Sequence, residues 1–171
     1  MQSIQTDRFL KAGIVVLAVA FAYTVYAGIH ERIIGPGDAS PSFQITADNG
    51  RTVSVPNFGG KLLVLNFWAS WCGPCAQETP SLSRFAHDYA PRNVVVLGVS
   101  VDKNPKAYQA FLQRYRPAFL TARESKLHAD FGTFMYPETY FIDTNGKVVQ
   151  KFVEPVDFSD PKITQLVDSL L

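Results

Sequence analysis

Cysteine is nearly missing from this chain: Cys72 and Cys75 are the only two among 171 residues. So few thiols exclude a disulfide-stapled scaffold, and the fold must stand on its apolar core. Hydrophobic residues make up 47% of the chain, enough to build that core. Histidine is scarce too, with His30, His87 and His128 scattered. Zinc needs about four ligands, and no second C-x-x-C or C-x-x-H accompanies the cysteines, which argues against a metal site. Charge of either sign is not in excess, since 16 Lys and Arg face 15 Asp and Glu for a net +1. Nothing therefore suggests a nucleic-acid surface or an acidic tail. Internal repeats and low-complexity segments are absent as well.

What the chain does contain is a redox-capable pair in a specific setting. Trp71-Cys72-Gly73-Pro74-Cys75 follows the apolar run Leu62-Leu63-Val64-Leu65-Asn66-Phe67-Trp68 and precedes a helical pattern. Two thiols at C-x-x-C spacing can close a small ring and reopen it without unfolding anything else. A purely structural disulfide across two residues would close almost no loop and stabilise little. Redox chemistry is the stronger reading. A helix starting at Cys72 would favour the thiolate there, through its free N–H groups and its dipole. Cys72 is then expected to be the exposed attacking sulfur and Cys75 the more buried resolving one. Pro74 suits a first helical turn, where the N–H it lacks would have no partner anyway.

From the N-terminus, residues 1–11 form a short leader and 12–29 are 18 successive uncharged, mostly apolar positions. At about 1.5 Å per residue this run reaches roughly the thickness of a bilayer's hydrocarbon core. Arg8 and Lys11 precede it, which places the N-terminus in the cytoplasm and the remainder across the membrane. Tyr23 and Tyr26 lie toward the far end, at the level of an aromatic belt. No polar face recurs, which argues against a buried globular helix. Cleavage after Val25-Tyr26-Ala27 competes with a retained anchor, and the length of the run favours the anchor. Either way the domain is exported. Residues 30–41, rich in Gly, Pro and Ser, read as a linker, and the domain is expected over 42–171.

Within that domain Asp48-Asn49-Gly50 separates two short β-type runs, a hairpin signal. Leu62 to Phe67 reads as a strand buried on both faces. Leu82, Phe85, Ala86 and Tyr89 then recur at helical spacing, with Pro80 expected to kink that helix. Val94 to Val99 is a second buried strand. Asn104-Pro105 opens a helix with Tyr108, Phe111, Leu112 and Tyr115 inward. A short apolar piece near Ala118-Phe119-Leu120 and a weak helical segment over 125–131 come next. Asn145-Gly146 lies between two strand-like runs, and Asp160-Pro161 starts a closing helix. The order β-α-β-α-(β)-α-β-β-α predicts an α/β fold, a mixed central sheet flanked by helices.

With these segments in place, Asn66 to Cys75 resembles the thioredoxin active-site run, and Tyr136-Pro137-Glu138-Thr139 resembles the loop carrying that family's cis-proline. The resemblance covers roughly 42–171 and implies a thioredoxin fold. Three features make it similar to the membrane-anchored TlpA/ResA/CcmG (DsbE) type. These are the apolar anchor, the surplus length between Asp102 and Pro137 that fits an inserted helix and strand, and Glu78 three residues past Cys75. Thioredoxins carry a buried aspartate where this chain has Asn66, which cannot ionise. Glu78, one turn after Cys75 on the same helix face, could handle the proton of the resolving thiol instead. Substrate contacts implied by the resemblance fall on Trp71, Gly73, Pro74, Tyr136 and Pro137. Trp68 is expected in the core of the site and Trp71 at its rim.

The expected function is thus an extracytoplasmic, membrane-tethered thiol-disulfide oxidoreductase working through a Cys72–Cys75 dithiol/disulfide cycle with no other cofactor. A reductant in an oxidising compartment needs electrons delivered across the membrane. The resemblance implies a thiol electron donor of the CcdA/DsbD type. It implies disulfide-containing exported proteins, apocytochrome c among them, as acceptors, with the domain on the periplasmic side of the inner membrane. Two rivals fit less well. A thiol peroxidase would want Thr-x-x-Cys where Ala69-Ser70-Trp71 precedes Cys72. A copper-delivery protein of the SCO type uses C-x-x-x-C and a later histidine.

Overall fold

The computed structural model describes residues 2–29, 33–55 and 57–171, and within its first helix the side chains of 11–25. The chain divides into two units, Met1–Arg32 and Ile33–Leu171. In the first, the helix α1 (Gln2–Ile29) takes in the apolar run 12–29 and the ten residues ahead of it. Its described side chains, Ile14, Leu17 and Phe21 among them, are exposed on every side. Among the described residues no helix is long and apolar enough to cross a membrane. The expected span over 12–29 extends beyond residue 25, so the side chain of Tyr26 lies outside the described residues, as do that of Arg8 and the segment 30–32.

The second unit has the element order expected for it. A hairpin of β1 (Gln44–Thr46) and β2 (Thr52–Ser54) pairs Ile45 with Val53 and turns through Gly50, whose positive φ of 86° is easy only for glycine. Five strands form the main sheet: β3 (Leu62–Trp68), β4 (Val94–Ser100), β5 (Leu120–Arg123), β6 (Glu138–Asp143) and β7 (Val148–Phe152). Their order is β5-β4-β3-β6-β7. β3 pairs parallel with β4 and antiparallel with β6, which makes the sheet mixed. All seven residues of β3 are buried, as a strand that is apolar except for Asn66 requires.

Helices cover both faces. α2 (Gly73–Tyr89) and α5 (Pro161–Leu170) pack Leu82, Phe85 and Val167 against Leu62, Val64 and Phe141. On the other face the hairpin and α4 (Leu127–Asp130) enclose Phe67, Leu65, Phe131 and Tyr140. The inserted helix α3 (Pro105–Tyr115) is capped by Asn104, whose side chain accepts from the Lys106 N–H at 2.9 Å. Its Tyr108 and Phe111 pack behind the cysteines with Trp68. β5 starts at Leu120, two residues later than the apolar piece suggested. α2 runs uninterrupted through Pro80, which forgoes one backbone hydrogen bond.

Residues 33–41 are not a free linker. Ile34 is buried, and its N–H donates to the Phe131 carbonyl at 3.1 Å. Gly37 N–H donates to Val148 O at 2.8 Å, and Val148 N–H returns a bond to Asp38 O at 2.9 Å. The segment therefore covers the start of the outer edge of β7, where Val148 would otherwise present unpaired backbone groups.

Candidate active site

α2 begins immediately after Cys72, which is its N-cap. The Cys75 N–H donates to Cys72 Sγ at 3.1 Å, and Pro74 occupies the first turn as its missing N–H allows. The two sulfurs are joined in a disulfide, S–S 2.05 Å. Cys72 is 5% exposed and Cys75 3%, so the expected contrast in exposure is absent in this disulfide form. What distinguishes the two is position. Cys72 Sγ sits where the helix N-terminus stabilises negative charge, whereas Cys75 lies inside the helix.

The Tyr136–Pro137 peptide bond is cis, and Cys72 Sγ lies 3.4 Å from the Tyr136 carbonyl oxygen. Pro137 is buried and Tyr136 partly exposed. Trp71, at 70% exposure, meets the Tyr136 ring edge-on at 5.8 Å. Gly73 and Pro74 are exposed beside them, and Phe134 and Met135, just ahead of Tyr136 in the chain, are exposed as well. Trp68 is buried behind the site, 4.3 Å from the Phe111 ring.

Glu78 is buried rather than solvated. Its Oε1 accepts from Asn66 Nδ2 at 2.8 Å and its Oε2 from the Val156 N–H at 2.7 Å. Asn66 donates a second bond to Thr139 Oγ1 at 2.9 Å, tying the carboxylate to the strand after the cis-proline. Burial pushes the Glu78 carboxyl from its ordinary value of 4.5 up to about 7, with the bonds from Val156 and Asn66 pulling partly back. A carboxyl poised there can accept or release a proton at neutral pH.

Two supporting groups were not foreseen. Asp102 is buried and accepts from Ser70 N–H and Ser70 Oγ at 2.8 Å and from Ser100 Oγ at 2.7 Å, holding the loop ahead of the cysteines. A lone acid closing an apolar strand was the available signal. His128 Nδ1 lies 2.9 Å from Thr133 O and 3.1 Å from Tyr136 Oη. These contacts seat the imidazole between the Thr133 carbonyl and the tyrosine hydroxyl. No sequence pattern announces that contact. His128, Tyr136 and Trp71 line a groove of about 600 Å³ beside the cysteines. Among the described residues no group of three or more His, Cys, Asp or Glu could hold a metal ion.

A dithiol pair at a helix N-terminus, a cis-proline loop beside it and a family match over residues 36–151, described as AhpC/TSA, coincide on one domain. The chain belongs to the AhpC/TSA family. Among its relatives this AhpC/TSA chain is 30% identical over 148 residues to the thiol-disulfide oxidoreductase ResA of Bacillus subtilis, covering 83% of this chain and 82% of ResA. It is 29% identical over 147 residues to the thioredoxin-like protein YneN of the same organism, covering 82% and 86%. A candidate thiol:disulfide interchange protein DsbE from Chlorobium tepidum superposes with a TM-score of 0.72 at 27% identity, covering 80% of this chain and 98% of that one. The likenesses group it with the TlpA/ResA/CcmG type.

Proposed function

We propose that this protein is a membrane-tethered, extracytoplasmic thiol-disulfide oxidoreductase that reduces disulfides in exported proteins. The observation that carries the reading is the Cys72–Cys75 disulfide at the start of α2, facing the Tyr136 carbonyl. ResA and the DsbE candidate, by name, carry out thiol-disulfide chemistry, which supports the same activity here. A thiol peroxidase fits less well, because Ala69 supplies no hydroxyl at the place where such an enzyme would want threonine.

In the reduced protein the Cys72 thiolate attacks a substrate disulfide. One S–S bond breaks, a mixed disulfide forms on Cys72, and the first substrate sulfur leaves as a thiolate. Cys75 then passes its proton to Glu78 and attacks Cys72 Sγ. The Cys72–Cys75 bond closes and the second substrate thiolate leaves. Trp71, Gly73, Pro74 and Tyr136 form the contact rim, and the backbone before Pro137 pairs with the incoming peptide. Two electrons must return to the cysteines after each turnover, and a membrane thiol donor of the CcdA/DsbD type fits the tethered location. Apocytochrome c is one candidate acceptor. No cofactor beyond the cysteine pair is required.

The apolar α1 supports a single span, with Arg8 and Lys11 on the cytoplasmic side and the domain outside. The catalytic part of the proposal is tested by Cys75→Ser. This variant should accumulate exported proteins covalently bound to Cys72 and releasable by dithiothreitol. Accumulation on Cys72→Ser instead, with Cys75 as the bonded sulfur, would reverse the two roles.

A further inference from the structure

The proton of Glu78 needs a way out that a docked substrate does not close. Substrate is held on the face of Trp71 and Tyr136, and neither residue borders the hollow that Glu78 borders. That hollow is a cleft of about 300 Å³ between α2 and the segment 155–157. Glu78 and Ser81, both buried, line its depth, while Gln77, Arg84, Pro155 and Asp157 stand exposed around its mouth. Val156, whose N–H binds Glu78 Oε2, lines it as well. At about 30 Å³ per molecule the volume has room for roughly ten waters, with hydroxyl, amide, guanidinium and carboxylate partners on its walls. The cysteines line neither this cleft nor its mouth.

We propose that this cleft is a water-filled proton passage, connecting Glu78 to solvent through a mouth that shares no lining residue with the groove of Trp71 and Tyr136. The inference rests on the reading of Glu78 as the proton acceptor for Cys75. In the resolving step Cys75 Sγ–H gives its proton to the Glu78 carboxylate, and the Cys75 thiolate attacks Cys72 Sγ. The Cys72–Cys75 bond forms, the Cys72–substrate bond breaks, and the departing thiolate takes a proton from water. Only complexes with an unprotonated Glu78 can follow this course. Burial holds the carboxyl near neutrality, so many complexes form with it protonated. The passage lets those complexes lose the proton to water while substrate remains attached, instead of waiting for dissociation.

Gln77→Trp and Pro155→Trp, at exposed positions on opposite walls, narrow the mouth without touching the cysteines. The probe is a single-cysteine synthetic peptide joined to Cys72 of the full chain at pH 5, where Glu78 is protonated. A stopped-flow jump to pH 8 then starts resolution, read as peptide release. The wild-type chain should release peptide in one fast phase, and both tryptophan variants at least tenfold more slowly. Glu78→Gln should be slow as well, and adding Gln77→Trp to it should slow it no further. Wild-type release from both tryptophan variants alongside a slow Glu78→Gln would overturn the passage and leave the carboxylate's role intact. Fast release from Glu78→Gln would overturn that role, and the passage with it.

Discussion

Burial raises the Glu78 carboxyl from 4.5 to about 7, so the folded chain keeps a proton that the unfolded chain has already released. The folded-state value is the higher one. Its contribution to stability is therefore complete below pH 4.5 and is lost as pH rises through about 7. A shift of that size corresponds to roughly 3 kcal/mol. Glu78→Gln removes the ionisation while keeping the side-chain length. Urea unfolding of both proteins should show the difference moving in favour of Glu78→Gln by up to about 3 kcal/mol between pH 4 and pH 8. A difference that does not vary with pH would show that the carboxyl titrates normally. The position of Glu78 was legible from its spacing behind Cys75. Its bonding was not, because Asn66, Thr139 and Val156 come from three other segments. His128 bracing Tyr136 was equally hidden, since eight residues separate them and a tight fold of the inserted segment brings them together.

The strands of the sheet were readable because each carries its burial in its own residues: β3 and β4 are predominantly apolar and buried throughout. Helix starts were readable for a similar reason, since Asn104 and Asp160 satisfy N–H groups only two residues away. Residues 33–41 were misread because Gly, Pro and Ser describe a backbone without regular local structure and say nothing of its neighbours. The segment is fixed by bonds to Val148, Gly146 and Phe131, more than ninety residues downstream. Lys151 Nζ adds a bond to Ile34 O at 3.0 Å while pairing with buried Glu138 at 2.5 Å. A domain beginning at Ser42 should therefore be less stable than one beginning at Ile33. Losing the burial of Ile34 alone should cost about 2 kcal/mol, and the exposed edge of β7 should promote association. Equal melting temperatures for the two forms would mean that the segment only rests on the domain.

At the level of the whole molecule, the described side chains of α1 are exposed on every side, and residues 12–25 carry no charged stripe for packing on a globular surface. A single span accommodates that pattern, and retention of the helix makes a concrete demand. The mature chain should stay with membranes through an alkaline carbonate wash and keep its first residues. A soluble form starting at Gly28 would instead mark Val25-Tyr26-Ala27 as a cleavage site. The proposed tether suits a path in which electrons reach the cysteines from the membrane and leave toward exported disulfides. That direction of flow is the central claim, and the midpoint potential of the Cys72–Cys75 couple against a glutathione buffer tests it most directly. The reductant reading predicts a value nearer that of thioredoxin, about −270 mV, than that of the oxidant DsbA, about −120 mV. A midpoint near the oxidising value would contradict it and make this protein a former of disulfides.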